Sequence, residues 1–284
     1  MMTNRLLLVS LVPLASVLLI GCGVNDSSTL SVSDGGASGV TGGTHSTGGA
    51  HSSVGGQVAA GTGQYSGPNV GMAQPFAVLA YSSITAANID RVCGGLGVSA
   101  MAVSTITGFN APAYSKYGID SLPPNGQRAI LAQQDVTALV GNIDQRACDA
   151  DYTDVVGGLT GDITLHPGVT CMNSFSADVL LNGHLYLDAG GNPNAFFIIR
   201  GNLTLTVADG AQVVLLNGAQ PCGVFWRFSK QVAVGKTVNF YGTVISGTAI
   251  TMNTGSTLTG RVFAQTEGVQ LDANTIEIPT VGCQ

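Results

Sequence analysis

Charge is scarce in this chain. Asp, Glu, Lys and Arg together make up 9% of its 284 residues, against roughly a quarter in an ordinary soluble domain. Ten Lys and Arg face 16 Asp and Glu, a net charge of −6. That leaves no basic footprint, and no nucleic-acid partner is expected. Catalytic signatures are missing too: no Gly-x-Ser-x-Gly elbow, no phosphate-cradling glycine loop before a helix, no His-Glu-x-x-His. The six cysteines include no Cys-x-x-Cys pair, which gives a zinc site little support. His166 and His184 have no metal-ligand spacing, and His45 and His51 lie in a polar tract where solvated side chains are the simpler account. These absences argue against an enzyme, a metal or a cofactor.

Glycine is what the chain has in quantity, 40 residues, about twice the usual share. With abundant threonine it suits turn-rich β structure. From Gly223 to Pro279 the sequence reads as three lines, beginning at Val224-Phe225-Trp226, Thr243-Val244-Ile245 and Arg261-Val262-Phe263. The first two close on Gly242 and Gly260. Apolar residues fall into columns: Phe225, Val244, Val262; Val232, Ile250, Val269; Val234, Met252, Leu271; Val238, Leu258, Ile276. The period of about 18 to 19 residues is that of a short structural repeat. Within a line the alternation Ile250-Thr251-Met252 is that of a strand. One line cannot bury its own apolar face, but stacked lines can, so the expectation is a β-solenoid. Leu203 and Leu205, 29 residues before Val232 and Val234, place an insertion around Asn217–Cys222 in the preceding coil. Leu185-Tyr186-Leu187 and Ile163-Thr164-Leu165 look like strands of earlier coils, with no fixed register.

An ordered set of segments resembles the DUF3494 ice-binding protein family. The segments are Leu96-Gly97-Val98-Ser99, Ile106-Thr107-Gly108-Phe109, Pro193-Asn194-Ala195-Phe196-Phe197-Ile198-Ile199 and Leu216-Asn217-Gly218-Ala219-Gln220. Val224-Phe225-Trp226, Thr248-Ala249-Ile250-Thr251 and Leu271-Asp272-Ala273-Asn274-Thr275 complete it, and the likeness runs from about Ala73 to Ile278. The resemblance implies an all-β-dominated fold: a discontinuous three-faced β-solenoid with one long α-helix packed alongside. It also implies ice adsorption, although many relatives have no demonstrated role. It further suggests that Cys171 pairs with Cys222. Cys93–Cys148 is the next pair expected from what is left, with Cys283 then odd or competing for Cys148.

Three domains are expected. Residues 1–22 read as a lipoprotein signal peptide: Arg5, an apolar run from Leu6 to Ile20, then Leu19-Ile20-Gly21-Cys22, which resembles a bacterial lipobox. Cys22 would carry the lipid and make the protein an exported, membrane-anchored lipoprotein at the outer membrane or cell surface; plain secretion is the alternative. Residues 23–71, rich in Gly, Ser and Thr, read as a flexible tether. Residues 72–284 form the solenoid domain, expected to be monomeric. After Pro123-Pro124, Asn125 is a plausible N-cap, and Ala129, Ala132, Val136, Leu139, Ile143 and Ala147 draw the stripe of one helix. Arg128, Gln133, Gln134, Asp135 and Gln145 lie opposite. A partner-binding helix is the competing account. Asp149, Asp151 and Asp154 then read as a solvated turn rather than a calcium loop.

Two faces offer candidate ligand surfaces. Alternation against Val238, Leu258 and Ile276 points Thr237, Thr257 and Thr275 outward as one ladder. Ordinary β-propensity also explains such a ladder. Thr248, Ala249 and Thr251, with Asn253 beyond, match the Thr-Ala-x-Thr pattern of the family's ice face. In the same register stand Lys230 and Ala233 on one side, Glu267 and Gln270 on the other. The functions in view are non-catalytic ice binding, a structural or adhesive surface lipoprotein contacting glycan, protein or matrix, and a polysaccharide-active enzyme on a β-helix.

Overall fold

A computed structural model describes residues 67–279, apart from 89, 110–113, 123–124, 153–157 and 174–177. The expected signal peptide, Cys22, most of the tether, Asp154 and Cys283 lie outside the described residues. The N-terminal block contributes strands β1 (Phe76–Ala80), β2 (Ile84–Ala86), β3 (Arg91–Cys93), β4 (Gly95–Val98), β5 (Ile106–Thr107) and β6 (Lys116–Tyr117). Helix α1 (Asn125–Asp144) follows. Next come β7 (Ala150–Asp151), β8 (Leu159–Leu165), β9 (Gly168–Cys171), β10 (Val179–Asp188), β11 (Phe197–Gly201), β12 (Leu205–Val207) and β13 (Gln212–Leu216). The last stretch holds β14 (Val224–Phe228), β15 (Val232–Val234), β16 (Asn239–Ser246), β17 (Ile250–Met252), β18 (Thr257–Ala264), β19 (Val269–Leu271) and β20 (Thr275–Glu277).

Every pairing among these strands is parallel, and the pairings sort into three ladders, the faces of a solenoid. The first face runs β7, β9, β11, β14, the ends of β16 and β18, then β1, β4 and β6. The second runs from the starts of β8 and β10 through β12, β15, β17 and β19 to β2 and β5. The third runs from the rest of β8 and β10 through β13 and the starts of β16 and β18 to β20 and β3. The order is discontinuous in sequence: the N-terminal strands β1–β3 sit directly on β18–β20, the last coil of the chain. Gly242 and Gly260 stack at the corner between the third and first faces. Gly242 has φ +109°, and a Cβ on Gly260 would strike the Gly242 carbonyl, so the close approach of the coils requires glycine there.

The register confirms the columns Val232, Ile250, Val269 and Val234, Met252, Leu271, all buried. Two other columns shift, because on the first and third faces the offset between these coils is 18 residues. Trp226, not Phe225, stacks on Val244 and Val262, and Phe240, not Val238, on Leu258 and Ile276. Leu205 and Val207 pair with Val232 and Val234, so the earlier coil is offset by 27 residues rather than 29. The insertion itself falls between β13 and β14, as expected.

Helix α1 covers the first face. Ala129, Ala132, Val136, Leu139 and Ile143 are buried against the outward-pointing Phe76, Leu79, Ile198, Phe225, Ile245 and Phe263, a second core beside the one inside the coils. Burying each large side chain contributes about 1.5–3 kcal/mol. Two details depart from expectation. Ala147 is exposed because the helix stops at Asp144, and Gln133 is buried, its amide reaching the Ala264 carbonyl. Residues 67–71, the end of the expected tether, include Gly67, Pro68, Asn69 and Gly71, which line a cleft of about 390 Å³ against the helix.

One disulfide joins Cys148 and Cys171, with Cα atoms 5.7 Å apart. This corrects the expected Cys171–Cys222 and Cys93–Cys148 pairs. The chain leaving α1 adds β7 beside β9, with Asp151 opposite Cys171, and so brings Cys148 to Cys171. Cys222 sits in the short 3-10 turn Pro221–Gly223, and Cys93 ends β3 on another face. Cys93 and Cys222 each take part in a disulfide as well, though not with Cys148 or Cys171. Arg200, on β11, reinforces the staple: its guanidinium donates to the carbonyls of Asp144 (2.7 Å) and Arg146 (2.9 Å) and lies 3.2 Å from the Cys171 sulfur. The Asp144 carbonyl is one that a helix end leaves without an intrahelical partner.

Candidate functional site

On the second face β15, β17 and β19 each offer three residues, with the outer two buried and the middle one pointing out. The outward ladder reads Leu180, Thr206, Ala233, Thr251, Gln270, Thr85, Thr107. Neighbouring rungs stand one inter-strand spacing apart, about 4.7–4.9 Å. Threonine's β-branch holds its methyl and hydroxyl in few rotamers, so the ladder presents them at fixed places. Thr248 lies two residues before Ile250, alongside Lys230 and Glu267, which hold the same place before Val232 and Val269. Thr248 and Thr251 are half-buried between their neighbours, while Lys230 and Glu267 are exposed.

The structure brings Thr248, Ala249 and Thr251 together on this face and separates the other candidates from it. Asn253 turns into the corner, where its amide donates to the Val234 carbonyl at 2.9 Å. Thr257 and Thr275 pair on the third face, with Asn239 as the rung before them. Thr237 is not in that ladder: it occupies a left-handed turn, φ 53°, and donates its hydroxyl to Lys236 O. The constant 18-residue offset puts Asn239 opposite Thr257, which is why Thr237 misses the rung. Asp162, His184, Gln212 and Arg91 complete this third-face ladder.

Sequence reasoning missed Thr206, Thr85 and Thr107. Leu205-Thr206-Val207 and Ile84-Thr85-Ala86 carry the same alternation as Ile250-Thr251-Met252, which is the signal that could have found them. What hid Thr85 and Thr107 is the seam, where the N-terminal strands continue the face beyond Gln270. Asp272 sits at that seam, accepting from the Thr254 hydroxyl and the Asn88 amide. Those hydrogen bonds, Thr254 first, hold its carboxyl below the ordinary range. Asp90, across the seam, is pushed up by burial, offset in part by the Asn274 backbone N–H, with Asp272 adding to the rise.

Over residues 78–277 the chain matches the ice-binding-like family. The chain belongs to that family. It is 33% identical over 238 residues to Ice-binding protein 1 of Shewanella frigidimarina, across 74% of this chain and 26% of the relative. Against an ice-binding protein of a Colwellia species it is 31% identical over 238 residues, 79% of this chain and 90% of the relative. The chain thus spans about a quarter of the Shewanella protein and most of the Colwellia one. Among solved structures, an ice-binding protein from an Antarctic biological consortium superposes with a TM-score of 0.66 at 32% identity, covering 78% of this chain and 94% of that one. An ice-binding protein from an Arctic yeast gives 0.69 at 26% identity, covering 78% and 98%. In this member of the ice-binding-like family, the Thr-Ala-x-Thr segment lies on the second face, away from α1.

Proposed function

We propose that this chain is a non-catalytic ice-binding protein that adsorbs to ice through its second face. The observation that carries it is the outward ladder Thr206, Ala233, Thr251, Gln270, Thr85, Thr107, continuous across the seam. Its rungs are small or neutral, so they can order water without holding tight hydration shells of their own. Family membership and the names of the relatives support the same conclusion. Thermal hysteresis tests it: the parent should show activity, Thr251→Tyr should remove most of it, and Thr257→Tyr on the third face should leave it intact. The reverse pattern would move the site to the third face.

The protein would act at a membrane, anchored by a lipid on Cys22, on the strength of the Leu19-Ile20-Gly21-Cys22 segment. Two-phase detergent partition of Cys22→Ser against the parent tests this. The parent should enter the detergent phase and the variant should not.

A further inference from the structure

The third face carries a group of side chains that neither the core nor the threonine ladder explains. On β10, Leu185 and Leu187 turn inward and are buried, so alternation sends His184 and Tyr186 outward. Their rings lie nearly parallel, 21° between planes and 6.1 Å between centroids. Asp162, opposite on β8, holds the imidazole through Oδ1 and Nδ1 at 3.0 Å, and Gln212 faces His184 from β13. Thr164 and Val214 flank Tyr186 in the same way. The side chains of Asp162 and His184 are 70% and 51% exposed, so their pairing does little for stability. What it does is fix the imidazole beside the phenol.

The result is a shelf of two stacked rings, rimmed by a carboxylate, an amide and hydroxyls. A carboxylate this exposed holds its own water, which sets the patch apart from the neutral rungs of the second face. The patch also lacks the broad apolar centre of a protein interface. A sugar ring has the matching chemistry: C–H groups on its face to lie on the rings, and hydroxyls at its edge that both donate and accept. Amide and hydroxyl rungs continue along the axis through Asn239 and Thr257, whose side chains are joined at 2.8 Å. That continuation favours a chain of sugars over a single one. The Asp162 carboxylate disfavours an acidic chain.

We propose that the His184–Tyr186 shelf, with Asp162 and Gln212, is a binding site for a neutral polysaccharide, separate from the face that meets ice. Affinity electrophoresis of the full chain tests it, in native gels cast with a soluble β-glucan, a galactomannan, an arabinoxylan, a dextran or acidic alginate. At least one neutral gel should retard the parent. Tyr186→Ala should then weaken the apparent affinity about tenfold or more, equivalent to ~1.4 kcal/mol, with Asp162→Asn, on a separate strand, weakening it as well. Tyr186→Phe, which keeps the ring, should bind like the parent, and so should Thr251→Tyr on the second face. No retardation in any neutral gel, retardation by alginate alone, or retardation that survives both Tyr186→Ala and Asp162→Asn would overturn the proposal.

Discussion

Asp90 is 7% exposed, and its two carboxylate oxygens are unequally served. Oδ1 accepts from the Asn274 backbone N–H at 2.6 Å, while Oδ2 has no hydrogen-bond partner. Burial raises its pKa, so over the window just above 3.8 the folded chain keeps a proton that the unfolded chain has lost. Its stabilising contribution is therefore present at low pH and lost as pH rises through the folded value. At neutral pH the fold carries an incompletely paired buried charge. Asp90→Asn keeps the acceptor for Asn274 and removes that charge, and should stabilise the protein by about 1 kcal/mol at pH 7. The gain should vanish below pH 3.8, the ordinary value for the group. Urea midpoints at pH 3 and pH 7 measure both. Asp272 has the opposite sign: its pKa is lowered, so its contribution is present above 3.8 and fades as pH falls through the folded value.

Helix α1 was legible at the level of the element, because five of its six expected stripe residues are buried; the end was not. Ala147 continues the spacing, but Arg200 and the Cys148–Cys171 bridge stop the helix from outside, and neither lies within the helical pattern. The strand columns behave alike. Ile250 and its partners on either side were legible because single apolar residues alternate there. Phe225 and Trp226 were ambiguous because β14 is buried on both faces, one under the helix and one inside the coils. Such a strand has no alternation to read. Phe263→Ala, beneath α1, should cost about 3–5 kcal/mol and raise hydrogen exchange along Val136–Ile143. Replacing both Cys148 and Cys171 by Ser opens a loop of 23-residue separation and should cost about 2–4 kcal/mol. Its effect on exchange should be greatest near Asp144, where Arg200 remains the only anchor of the two.

At the scale of the molecule, the second face is one surface made from two parts of the chain, and two charges stand in the column of Thr248. Lys230 and Glu267 bracket Thr248, while the central ladder from Thr206 to Thr107 is free of charge. An ammonium and a carboxylate each bind their own hydration shell, which competes with the ordering that an ice-adsorbing surface must impose. Replacing both with threonine would extend the column of Thr248 to three rungs without changing the net charge of −6, since one charge of each sign is lost. Any change in activity would then report the local surface rather than the long-range field. Lys230→Thr/Glu267→Thr should raise thermal hysteresis and recrystallisation inhibition above the parent at equal concentration, with each single variant intermediate. Thr251→Tyr placed on the double variant should remove the gain, because the ring stands between the restored column and the ice. If the double variant gains nothing while Thr251→Tyr still abolishes activity, the contact surface is the central ladder alone, and the Thr248 column lies outside it.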